Sequence, residues 1–198
     1  MMGSIDRLIG QARARARKPD GPLPAPPRLQ TVILTCMDAR IDPVSLFGLS
    51  PGDAHVLRNA GALATPDVLR SLTLSQAILG TREVLVLGHT ECGLLGRSEI
   101  ELAEAIRSKS GYKPGMEMGV FKNLDEAVAG TVEVVRGCKF LAHRGAVHGY
   151  VYDIDVGSVR PVGAHEGHAA RAKASNPLSL KALSADVLNL KPSRRSQR

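Results

Sequence analysis

A chain of 198 residues, 43% of them apolar, is long enough for one compact domain with its own core and too short for two, and no run approaches the roughly 20 apolar residues of a membrane span. The net charge of +7 would suit a polyanionic partner if it covered the domain, but it sits in the tails. Residues 1–18 carry five basic residues to one acidic and residues 169–198 seven to one, which leaves a mildly acidic body.

Residues 4–18 read as an exposed helix with Ser4 at its cap, ended by the stiff Pro-rich linker DGPLPAPP. TVILTC at 31–36 is a β-branched apolar run that stops at polar MDAR, as a buried parallel strand stops at its carboxyl end. A weaker strand covers 54–57. Thr65 and Pro66 open a helix that runs to Leu79 and is stopped by Gly80. EVLVLGHT repeats the first pattern: the apolar run 84–87 breaks at Gly88 and delivers His89 and Cys92. Helices are expected at 98–108 and 124–136, with a Gly/Pro/Met loop over 111–119 between them. VHGYVYDIDVGSVRPV reads as an edge strand or hairpin turning at 155–158. Beyond Gly163 the composition predicts a loosely attached basic tail, in which LSLKALSADVLNL is the one amphipathic stretch.

Alternating strands and helices imply an α/β domain with a mainly parallel central sheet flanked by helices, whose ligands bind beyond the carboxyl ends of the strands. The expected organisation is 1–30 helix and linker, 31–162 catalytic domain and 163–198 tail. Three cysteines with no apolar leader core do not make a disulfide framework and fit a reducing cytoplasm. An Arg-rich start containing Asp6 and little Ser is a poor transit peptide.

Cys36 at one strand end, with His89 and Cys92 at another, offer two sulfurs and an imidazole, a soft donor set that suits zinc with one open position. The H-x-x-C spacing allows two ligands from one tight turn, with Gly88 and Gly93 freeing the backbone. Each motif alone has a plain structural reading: a buried thiol, a hydrogen-bonded loop histidine. C-x-D-x-R changes the weighing, because packing has no use for Asp38 and Arg40 at a strand end. Asp38 could be a fourth ligand, an acceptor for metal-bound water or a turn residue.

CMDAR, RNAG at 58–61 and GHTECG at 88–93, in that order, resemble the β-class carbonic anhydrase family in its compact bacterial form. The resemblance covers roughly residues 5–162. It implies a zinc lyase, a carbonate dehydratase, with one zinc per chain on Cys36, His89 and Cys92, and Asp38 and Arg40 as a dyad beside the metal. Asp38 would bind zinc only in a closed form and pair with Arg40 in the open one. The expected reaction is reversible hydration of carbon dioxide to bicarbonate by a zinc-bound hydroxide. Gly61 could offer a backbone N–H at the substrate pocket. The resemblance further implies a homodimer or tetramer, with the N-terminal helix on the partner subunit.

Relatives that hydrolyse carbonyl sulfide or carbon disulfide share the ligand set, so the substrate stays open at this point. A closed structural zinc or redox-sensing site has no use for Asp38 and Arg40. Nucleic-acid binding through the basic tails ranks last, since three Tyr, three Phe and no Trp leave few stacking surfaces. Of the remaining histidines, His55, His143 and His148 read as packed or solvated, and His165 and His168 make only a weak second metal site. Cys138 reads as a structural thiol.

Overall fold

Thr31–Cys36 (β1) is buried at five of its six positions, as a central strand covered on both faces must be. In the computed structural model, which describes residues 3–16 and 21–163, β1 lies between Ala54–Asn59 (β2) and Glu83–His89 (β3). Val147–Asp153 (β4) continues the sheet beside β3, and Ser158–Pro161 (β5) closes the edge, giving the order β2-β1-β3-β4-β5. The first four strands are parallel and β5 is antiparallel to β4. This is the expected α/β architecture with its terminal hairpin. Strand β2 runs two residues further than the sequence suggests, because its pairing with β1 extends to Cys36 opposite Asn59. The pairing of His89 with Tyr152 brings the ends of β3 and β4 to the same edge.

The crossover helices start and stop where local chemistry directs. Pro66–Leu79 (α3) is capped by Thr65, whose hydroxyl accepts from the Val68 N–H, and it ends at Gly80 with φ 72°. Between β1 and β2 lies one short turn of helix, Pro43–Leu46 (α2), opened by Asp42 accepting from the Val44 N–H. Glu99–Ser110 (α4) is capped by Ser98, and Leu124–Gly137 (α5) by Asn123. Ser4–Ala14 (α1) departs from expectation at both ends. Gly3 takes the cap position in place of Ser4, with Asp6 accepting from its N–H. The helix ends at Ala14 rather than at 18, since none of its residues is buried and no packing sustains a further turn.

The core lies on one sheet face. Val32, Leu34, Val84, Val86, Val147 and Val151 alternate along their strands and meet Val68, Leu69 and Leu72 of α3 and Val128, Val132 and Val135 of α5. Full burial of each such side chain contributes roughly 1.5–3 kcal/mol before the entropy of ordering is subtracted. Gly88 and Gly149 let α5 approach: a Cβ on Gly88 would lie 2.5 Å from Val128 Cγ2, and one on Gly149 2.9 Å from Val128 Cγ1. Among the described residues no helix is long and apolar enough to cross a membrane. The expected tail, with LSLKALSADVLNL, His165 and His168, lies beyond Gly163 and outside the described residues.

Candidate metal centre

Cys36 is the last residue of β1 and His89 the last of β3, and the parallel pairing of these neighbouring strands brings both ends to the same edge of the sheet. Cys92 follows three residues later on the turn. The ligand atoms of the three side chains all lie within 4.8 Å of one another. All three residues are buried. His89 Nδ1 sits 2.8 Å from the carbonyl oxygen of Thr90. A carbonyl can only accept, so Nδ1 carries the proton and Nε2 keeps a lone pair. His89 Nε2 is buried without a hydrogen-bond partner among the described residues. A buried polar atom left unpaired costs about 1–3 kcal/mol, a cost that a cation between this nitrogen and two sulfurs would remove. The three residues therefore fit zinc in kind, number and aim.

The two thiols are electrostatically linked. A hydrogen bond from Cys92, opposed by burial and helped by His89 and the Gly61 and Asp38 backbone, holds Cys36 well below the ordinary thiol range. The same contact, with burial, pushes Cys92 up. One thiolate is thus already favoured at Cys36, and the Gly61 N–H donates to its sulfur at 3.4 Å.

The turn that carries His89 and Cys92 differs from expectation in its hinge. Neither Gly88 nor Gly93 adopts a left-handed φ; the left-handed residue is Glu91, with φ 56°. A non-glycine residue there stores on the order of 1–3 kcal/mol of strain. Gly88 is small for a different reason, the close approach of α5.

Asp38 and Arg40 do pair. Arg40 donates from Nε to Asp38 Oδ1 at 3.0 Å, from Nη2 to Oδ2 at 2.8 Å, and from its backbone N–H to Oδ1 at 3.0 Å. This fork holds the Asp38 carboxyl far below the ordinary carboxylate range, so it is ionised at neutral pH. Glu91, which sequence reasoning missed, takes the adjacent Nη1/Nη2 edge of the guanidinium. Arg58 of RNAG donates to the carbonyls of Cys36 and Asp38 at 3.0 and 2.6 Å, and Asn59 ties the next loop through Leu63.

Apolar residues wall the site. Cys36, Ile41 and Cys92 form a small buried cluster with Leu94, Leu95, Phe121 and Tyr152 packed around it. Gly61, at φ 80°, takes a conformation that side-chain-bearing residues rarely adopt, and a Cβ there would press on Leu94 Cδ1 at 2.9 Å. Leu63 and Phe121, near the same position, also line a cavity of about 340 Å³ with Arg97 and Lys122 among its walls. The other candidates fall elsewhere. Cys138 is buried in the main core, His55 is bonded to Ser75 at 2.8 Å, and His148 is exposed on β4.

A parallel α/β sheet that gathers two thiols, an imidazole and a carboxylate–guanidinium pair at its carboxyl edge defines a class of protein with a candidate catalytic metal centre. Comparison with known proteins narrows the class. The family model described as carbonic anhydrase matches residues 31–110. Beta-carbonic anhydrase 1 of Mycobacterium tuberculosis is 37% identical over 142 residues, spanning 72% of this chain and 87% of the relative. A carbon disulfide hydrolase of an Acidianus species is 32% identical over 154 residues, spanning 65% and 74%. The crystal structure of a carbonic anhydrase from Streptococcus mutans superposes with a TM-score of 0.76 at 32% identity, covering 82% of this chain and 99% of that one. The chain belongs to the β-carbonic anhydrase family, whose enzymes are lyases.

Proposed function

We propose that this chain is a zinc-dependent carbonic anhydrase that interconverts carbon dioxide and bicarbonate, with one zinc per chain held by Cys36, His89 and Cys92. The observation that carries this is the buried Nε2 of His89, without a hydrogen-bond partner among the described residues, in a cluster of one imidazole and two sulfurs whose ligand atoms lie within 4.8 Å of one another. Zinc, when bound, supplies the Lewis acidity that makes water a competent nucleophile near neutral pH.

The chain's own residues supply the rest. Asp38, kept ionised by Arg40, is an acceptor for a proton of the attacking water. The same carboxylate is the candidate fourth ligand of a closed form, and three hydrogen bonds from Arg40 favour the open one. The Gly61 N–H is spent on Cys36, where it withdraws charge from the sulfur. Its assignment to the pocket therefore rests on the lack of a side chain, which leaves Leu94 and Phe121 as a close apolar wall suited to a small nonpolar substrate.

Hydrolysis of carbon disulfide or carbonyl sulfide is the second reading, supported by the Acidianus relative and by the same apolar wall. A non-catalytic zinc or redox-sensing site has no use for the Asp38–Arg40–Glu91 network. We further propose a catalytic unit of residues 31–162 and an assembly of at least a homodimer, since α1 presents Ile5, Leu8 and Ile9 to solvent and needs a partner surface for them. The three described thiols are free, which fits a cytoplasmic enzyme.

The decisive experiment compares carbon dioxide hydration with carbon disulfide and carbonyl sulfide hydrolysis on the zinc-loaded protein. Carbon dioxide is expected to turn over fastest, and a clear preference for either sulfur compound would replace the first reading by the second. Arg40→Ala is expected to keep its zinc and lose about 10- to 100-fold in turnover, the range typical of removing a partner that orients a group beside the metal. Metal analysis beside the assay checks both halves of that expectation.

A further inference from the structure

We propose that Glu91 is a positioning residue for this chemistry: it grips the Arg40 guanidinium on the edge next to the one that holds Asp38 and so fixes the direction in which Arg40 presents its fork. The inference rests on the dyad reading above and extends it to a third member.

The donor inventory makes the case. A guanidinium has five N–H bonds in one plane. On Arg40, Nε and Nη2 donate to the two oxygens of Asp38, Nη2 also reaches the Glu91 carbonyl at 3.1 Å, and Nη1 donates to Glu91 Oε2 at 2.8 Å. Nη2 has a hydrogen for each of its two acceptors, so Asp38 and Glu91 do not compete for the same donor. They hold adjacent edges of one rigid plane, which meet at Nη2.

Arg40 needs such a hold. Its side chain is 47% exposed, and a single ion pair at that exposure is screened and loosely oriented. Two anchors on one guanidinium remove the rotational freedom that one leaves. The left-handed φ of Glu91 belongs to the same device, since the residue that takes it offers Arg40 both a main-chain carbonyl and a carboxylate from one position. The turn that bears His89 and Cys92 is thereby tied to the loop that bears Cys36 and Asp38, across 51 residues of sequence.

The test uses the full-length zinc-loaded protein as wild type, Glu91→Ala, Glu91→Gln, Arg40→Ala and the Glu91→Ala/Arg40→Ala double variant. In Glu91→Ala, kcat is expected to fall about fivefold, the kinetic equivalent of the upper range for one exposed ion pair, with KM and zinc content unchanged. Glutamine keeps an acceptor for Nη1 and should restore most of the loss. In the Arg40→Ala background the alanine at 91 should cost almost nothing further, because its effect runs through Arg40. A crystal structure of zinc-loaded Glu91→Ala should show the Arg40 guanidinium turned from its place against Asp38. The inference is overturned by a wild-type kcat in Glu91→Ala, by equal losses in both backgrounds, by failure of glutamine to restore activity, or by loss of zinc from Glu91→Ala, which would make the residue merely structural to the turn. If Arg40→Ala itself matches wild type, the dyad reading fails instead.

Discussion

Two buried clusters of very different size share this sheet. The larger joins fifteen residues between the sheet and helices α3 and α5, fourteen of them Val, Leu or Ala and the other Cys138. The smaller, at the carboxyl edge, contains only Cys36, Ile41 and Cys92, with Leu94, Leu95, Phe121 and Tyr152 around it. The first is made of groups with no chemistry beyond their volume. The second uses thiols as though they were small hydrophobes while keeping them aimed at a histidine. The contrast teaches that fold and chemistry are carried by separate sets of side chains, and that each should fail without the other.

The sharpest break comes from Cys36→Ser, which should abolish turnover and weaken zinc binding by more than about a hundredfold, since removing a group that only orients a ligand already costs 10–100-fold. Its circular dichroism should match wild type, and a variant that unfolds would show that the small cluster also carries the fold. Leu72→Ala is the converse. Leu72 is fully buried in the large cluster, and its truncation should cost about 2–5 kcal/mol in denaturant unfolding, while the folded fraction keeps one zinc per chain.

The smallest effect concerns Glu99, whose carboxylate accepts from the N–H groups of Met118, Gly119 and Val120. Burial acts to raise its pKa, but these three donors outweigh it and the value falls below the ordinary one. A depressed folded pKa adds stability above the unfolded value, near 4.3, and that stability is lost as pH falls through the folded value. Glu99→Gln should therefore lower Tm by roughly 2–4 °C at neutral pH, with the gap to wild type closing in acid. A gap that persists there would mean that packing, not charge, holds the 118–120 loop.

What was legible in the sequence follows from how local its cause is. Thr65, Pro66 and Gly80 bound α3 by themselves, and the apolar runs ending at Cys36 and His89 disclosed two strands and their chemistry together. Asp38 and Arg40, two residues apart, could be paired by inspection. Glu91 could not, because its partner lies 51 residues away and an acidic residue inside H-x-x-C looks like solvent-facing charge. Gly88 invited a conformational explanation, whereas its cause is Val128 on a helix far along the chain. The start of α1 turned on which of two adjacent small residues would cap it, a choice settled by the reach of Asp6 to Gly3.

Arg58 leaves a last consequence for how this site can change over time. It grips the loop after β1 by two carbonyl oxygens, those of Cys36 and Asp38. Main-chain carbonyls are present whatever side chains those positions bear. The path of the loop is thus insured against substitution at positions 36 and 38. A lineage could re-equip positions 36 and 38 in single steps, each trial being judged on its reactivity rather than on a collapsed scaffold.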